Sequence, residues 1–124
     1  MSTVARMMAD VAAPPLAATD EAIDMQHLSR MTLGERSLER EVLALFERQA
    51  ELLLERMAQS ERAVVATAAH TLKGSAQGIG AWRVALAAEA VEYSDAAGQS
   101  LAVDALADAV EEARAAIGRL LAAH

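Results

Sequence analysis

From residue 35 onward, apolar side chains return every three or four positions, which is the spacing of one face of an α-helix. Over 35–58 the set is Leu38, Val42, Leu45, Phe46, Leu52, Leu53 and Met57, with Gln49 interrupting it. Arg36, Glu39, Arg40, Glu47, Arg48, Glu51 and Glu55 fill the other faces, several of them four residues from an opposite charge. Ser60 is placed to cap a helix over 61–77 whose core-facing set is Val64, Thr67/Ala68, Thr71/Leu72 and Ser75/Ala76. Gly78 and Gly80 then favour a structural turn. A segment over 81–97 carries Trp82, Leu86, Ala90 and Tyr93, and Gly98 is a natural stop. Ser100 can cap a last helix running to about residue 121, with Val103, Leu106, Val110, Ala113, Ile117 and Leu120/Leu121 in a 3-4 pattern. Upstream, Thr19-Asp20-Glu21 can cap a short helix to Met31, with Ile23, His27, Leu28 and Met31 near one face, ended by Gly34. Residues 1–20 sustain no apolar period, and Pro14-Pro15 would stop any helix begun there. The pattern predicts an all-α chain: a disordered or loosely docked tail at 1–20, then a bundle over 21–124. Short connections make neighbours antiparallel, so the bundle is expected to be an up-down-up-down four-helix bundle with a short additional N-terminal helix.

Composition supports helices, because a chain that is 54% hydrophobic but only 2% aromatic draws its apolar content largely from alanine, the best helix former. A net charge of −7 argues against a nucleic-acid partner, which calls for a basic face. The absence of cysteine removes disulfides, thiol nucleophiles and cysteine metal sites. No run of 18 apolar residues occurs, so no membrane span is expected. Arg6 and Asp10 break the N-terminal apolar stretch and the two prolines follow, which speaks against a secretory signal and for the cytoplasm. His27, His70 and His124 are too scattered for metal ligation; His27 and His124 read as structural or solvated.

The candidate chemistry lies between His70 and Gly80. His70 falls opposite the core-facing set, together with Ala63, Ala66, Lys73, Gly74 and Gln77. Lys73 and Gly74, three and four residues on, are its surface neighbours. Neutral imidazole has a lone pair near pH 7 and can attack phosphorus. A neighbouring cation can steady a phosphoryl group. Glycine inside a helix costs roughly 1 kcal/mol against alanine, so Gly74 suggests a place where a side chain would obstruct an approaching protein. Gln77 either extends that face or is merely solvated.

In this stretch the sequence resembles the histidine-containing phosphotransfer (HPt) domains of bacterial two-component phosphorelays. The motif His-x-Leu-Lys-Gly, with a glycine ten residues after the histidine, is matched by His70, Leu72, Lys73, Gly74 and Gly80. The run 23–46 looks like the family's first two helices, and 86–92 like its fourth. The resemblance covers about 20–122 and implies a four-helix bundle that takes a phosphoryl group on His70 from a receiver-domain aspartate or a kinase relay and passes it to another receiver aspartate. It implies that Glu92, 22 residues after the histidine, accepts a hydrogen bond from Nδ1–H and leaves Nε2 as the nucleophile. It implies docking of receiver domains, or of a hybrid histidine kinase, over Ala66, Gly74 and Gln77. It also implies a monomeric carrier without autokinase activity or cofactor, any magnesium belonging to the receiver. Three other readings remain, one of them an unrelated structural bundle in which the motif is coincidence. A histidine-kinase dimerisation pair usually has an acidic residue directly after the histidine, where this chain has Thr71, and no Gly-rich nucleotide site is present. An HPt-like bundle that binds and sequesters a receiver without transfer would need the same surface but not the nucleophile.

Overall fold

A computed structural model of the chain describes residues 21–58 and 61–123. The tail expected over 1–20, the Ser60 cap and His124 lie outside the described residues. Within them every regular element is helical: α1 Met25–Met31, α2 Arg36–Ala58, α3 Arg62–Ile79, α4 Trp82–Glu92 and α5 Gln99–Ala122. The four longer helices pack as a ring, each on its chain neighbour, with α5 closing against α2. Cross-helix contacts join residues at comparable distances from the intervening turn, as antiparallel neighbours do: Gln49 with Ser75, His70 with Glu92, and Arg83 with Glu112. On the closing side, Arg40 near the start of α2 donates to the Leu121 carbonyl near the end of α5, at 2.9 Å.

The buried stripe of α2 is Leu43, Phe46, Ala50, Leu53 and Met57. It meets Val65, Ala68, Ala69, Leu72, Ala76 and Ile79 of α3, and Val84, Ala85, Ala88 and Val91 of α4. Leu106, Val110, Ala113, Ala116 and Ile117 of α5 complete the core, as their 3-4 spacing predicts. Of the positions the spacing singled out on the other helices, Phe46, Leu53 and Met57 of α2, Ala68, Leu72 and Ala76 of α3, and Trp82 of α4 are buried. Leu45 and Leu52 of α2, Val64, Thr67 and Thr71 of α3, Leu86 and Ala90 of α4, and Tyr93 just after it are exposed. The reason is the alanine content: a core built around Ala50, Ala68, Ala69, Ala76, Ala85 and Ala88 lets the helix backbones close in. The larger side chains are then left at the edges.

Several helix ends also differ. Gly78 does not form a turn; α3 runs through it to Ile79. Gly80 alone makes the reversal, with φ +80°, and the Ala81 N–H bonds back to the Ala76 carbonyl at 2.9 Å in a Schellman-type closure. A Cβ at Gly80 would also lie 2.9 Å from the Asp24 carbonyl oxygen, so both conformation and space require glycine there. Helix α4 stops at Glu92 rather than 97 because polar side chains take over the backbone. Ser94 Oγ bonds to the Val91 carbonyl, and Asp95 Oδ1 accepts from the Gly98 N–H, each at 2.8 Å. Gly98 therefore opens α5, and Ser100 lies inside that helix instead of capping it.

The short helix begins at Asp24, not after Thr19-Asp20-Glu21. Asp24 Oδ1 accepts from the His27 N–H at 3.1 Å, and its Oδ2 accepts from Trp82 Nε1–H at 3.0 Å. His27 is buried and donates from Nε2 to the Gln77 carbonyl at 2.9 Å, its ring lying 4.9 Å from that of Trp82. These bonds, with the Asp24 N–H donated to the Gly80 carbonyl at 2.9 Å, staple α1 across the α3–α4 turn. Burial works to raise the Asp24 pKa, but the Trp82 and His27 hydrogen bonds outweigh it and hold the carboxyl below its ordinary value. A depressed carboxyl pKa contributes stability at neutral pH that is lost as pH falls through the folded-state value. Asp24→Ala should cost about 2–3 kcal/mol, since it removes the cap and leaves the buried Trp82 N–H without a partner. Thermal melts at several pH values check this: the variant should melt lower at neutral pH, with the gap narrowing in acid.

Candidate functional site

His70 stands near the middle of α3 with a side chain 67% exposed. Its Nδ1 is 2.7 Å from Oε2 of Glu92, the last residue of α4. The antiparallel hairpin closed at Gly80 brings together two residues 22 apart in sequence. Burial works to raise the Glu92 pKa, but the Lys73 ammonium and the His70 ring outweigh it and hold the carboxyl below the usual glutamate range. Glu92 is thus a carboxylate and can only accept, so Nδ1 carries the proton and the lone pair is on Nε2. Nε2 has no partner among the described residues.

Lys73 does not stand free beside the imidazole, as the sequence face suggests. Its side chain is only 15% exposed, and Nζ lies 3.0 Å from Glu92 Oε1 and 3.7 Å from Glu89 Oε2. The Tyr93 ring centroid is 5.9 Å from the same nitrogen. The contact with Oε1, a buried oxygen, is a close ion pair off the direction of a good hydrogen bond. Glu92 raises the Lys73 pKa above its ordinary value, against the effect of burial. The chain His70–Glu92–Lys73–Glu89 thus fixes the ring through a carboxylate that is itself fixed by a cation.

Around His70 the surface is low. A Cβ at Gly74 or Gly78 would meet nothing within 4 Å. Ala63 is exposed and Ala66 half-buried, and the half-buried Gln77 carries on its backbone the carbonyl that holds His27. Leu86 of α4 and Tyr93, the residue that caps its C-terminus, are 57% and 74% exposed and add apolar groups beside Glu92. Their spacing of seven, with Glu89 between them, is a signal for an outer face once Ala85 and Ala88 are recognised as the inner one. No cluster of three or more histidine or acidic residues suited to a metal occurs among the described residues. No helix among them is long and apolar enough to cross a membrane.

Removing the Lys73 ammonium should act through Glu92. In Lys73→Ala the buried Oε1 loses its counter-charge, and the Glu92 pKa should rise. Followed by NMR titration, the Glu92 carboxyl should protonate at higher pH than in the wild-type chain. An unshifted Glu92 titration would mean that the Lys73 ammonium is not what holds that carboxyl below its ordinary range.

The family model for the Hpt domain matches residues 41–116 of this chain. Among solved structures, the fold is similar to that of a provisionally assigned histidine-containing phosphotransfer protein from rice. The TM-score is 0.72 and the sequence identity 17%, over 97% of this chain and 94% of the rice one. No curated protein matches the sequence.

Proposed function

The chain belongs to the Hpt domain family of phosphorelay carriers, and on that premise we propose that His70 is its phosphorylated residue. His70 takes the group from a receiver-domain aspartyl phosphate, or from a kinase relay, and hands it to another receiver aspartate. The observation that carries this reading is the 2.7 Å contact between Nδ1 and Glu92. It leaves the Nε2 lone pair available and outward on an exposed ring.

The exchange needs no proton movement on this chain. The Nε2 lone pair attacks phosphorus; the N–P bond forms as the P–O bond to the donor aspartate breaks, and that aspartate leaves as a carboxylate. Nδ1 keeps its proton, so the phosphorylated ring is cationic, and the Glu92 carboxylate offsets the charge. In the return step an acceptor carboxylate attacks phosphorus and the N–P electron pair goes back to Nε2. Lys73 is a positioning residue here: it keeps Glu92 ionised and aimed at Nδ1. Ala66, Gly74 and Gln77 form the ground on which a receiver docks. Any magnesium required is held by the receiver's own aspartate site.

The test is to incubate the purified chain with each phosphorylated receiver domain of its own organism and to follow acid-labile label. Transfer from at least one receiver, and no labelling from ATP and magnesium alone, is the expected result. Stable binding without transfer from any receiver would favour sequestration, and self-labelling would favour a kinase component.

A further inference from the structure

The outer side of α2 carries an apolar pattern that the core does not use. Leu38, Leu45 and Leu52 recur at every seventh residue and are 37%, 55% and 63% exposed. They lie about a third of a turn around the helix from its buried stripe. Glu41 and Arg48 flank them, both exposed and neither with an ion-pair partner among the described residues.

We infer that this face is the contact between two copies of the chain, α2 lying antiparallel on α2 and centred on Leu45. A twofold contact has to be self-complementary, because the same patch serves both sides. This stripe is symmetric about its middle residue. Turning a second α2 about Leu45 sets Leu45 on its own copy and each Leu38 against Leu52 of the other chain. Glu41, four residues before the centre, then faces Arg48 of the second copy, three residues after its own centre. The two are offset by only about 1.5 Å along the axis, and symmetry makes the pair twice. Glu41 and Arg48 lie on the same side of the leucine stripe, so a parallel, in-register arrangement would carry the two copies of each to opposite sides of the seam and forgo both pairs; the charges therefore favour the antiparallel one. The apolar surface continues into the groove between α2 and α3, where Val64, Thr67 and Thr71 are exposed.

Three leucines on one helix fall well short of the roughly 800 Å² per partner of a standard stable interface. The association is therefore a reversible monomer–dimer equilibrium in place of the monomer that the family resemblance implied. It does not depend on the phosphotransfer reading, since it involves neither His70 nor Glu92.

Sedimentation equilibrium of the full chain over a dilution series tests it. The weight-average mass should rise from one chain towards two with concentration. Leu45→Glu should stay at one chain throughout. Arg48→Glu and Glu41→Arg should each weaken dimerisation by roughly tenfold or more through like-charge opposition. The double exchange Glu41→Arg/Arg48→Glu should restore it, which no loss of folding could mimic; all these positions are exposed, and helical circular dichroism checks each variant. A wild-type mass of one chain at every concentration overturns the inference. So does a dimer indifferent to Leu45→Glu, or a double exchange no better than the single changes. A Leu45→Glu variant that leaves the mass unchanged but loses receiver binding would assign the stripe to the receiver instead.

Discussion

His70→Gln should abolish label transfer from every receiver while leaving the fold in place. The exposed side chain supports no core contact, so the change in folding stability should be about 0.5 kcal/mol or less. Glutamine can still offer an amide N–H towards Glu92, so the carboxylate and the Lys73 pair need not be lost with the ring. What is lost is the only group at this position able to form an N–P bond. His27 offers no substitute: it is buried, and its Nε2–H is committed to the Gln77 carbonyl. The variant should show wild-type melting and no acid-labile label after long incubation with phosphorylated receivers. Residual transfer at the wild-type rate would place the nucleophile on another histidine.

The sequence made the helices and the His70 motif legible for different reasons. Helices appear because the 3-4 spacing in α5 and the glycine at position 80 are local signals, and local signals survive in a single chain. Leu45 and Leu52 of α2 were placed inward because size was taken as the mark of burial, and on α3 the spacing left Thr67 against Ala68 and Thr71 against Leu72 undecided, of which the second of each pair is the buried one. In this bundle Ala50, Ala69 and Ala88 are wholly buried while Leu52 and Tyr93 are mostly exposed. The place of Glu92 beside His70 came from a family resemblance rather than from spacing, because a turn at Gly80 does not by itself say which faces the two helices turn to each other across it. The pairing of Lys73 with both Glu92 and Glu89 was out of reach for the same reason. It depends on how closely α3 and α4 approach, which the alanines between them decide. The Asp24–Trp82 bond, joining positions 58 apart, is a tertiary contact without a local signature.

Gly74 separates stability from function, and there the two pull in opposite directions. A methyl group at this position meets nothing within 4 Å, so Gly74→Ala should stabilise the protein by up to about 1 kcal/mol, as alanine replaces glycine in a helix interior. Gly74→Arg should also fold, with much of that gain. The arginine, however, would project from one turn along the same face as His70, into the space a receiver's aspartate loop must enter. An obstructing side chain at the centre of a docking surface cannot be moved aside without opening the contact. Transfer from a phosphorylated receiver should therefore fall by roughly a hundredfold or more, equivalent to about 2.7 kcal/mol. A small donor needs no docking surface, so phosphoramidate should label His70 in Gly74→Arg at close to the wild-type rate. The ratio of the two rates removes any general effect on imidazole reactivity, including a change of charge near the ring, because that would alter both. Equal receiver-driven transfer in wild type and Gly74→Arg would refute the docking role. Parallel loss of both reactions would instead mean that the arginine disturbs the His70–Glu92 contact itself.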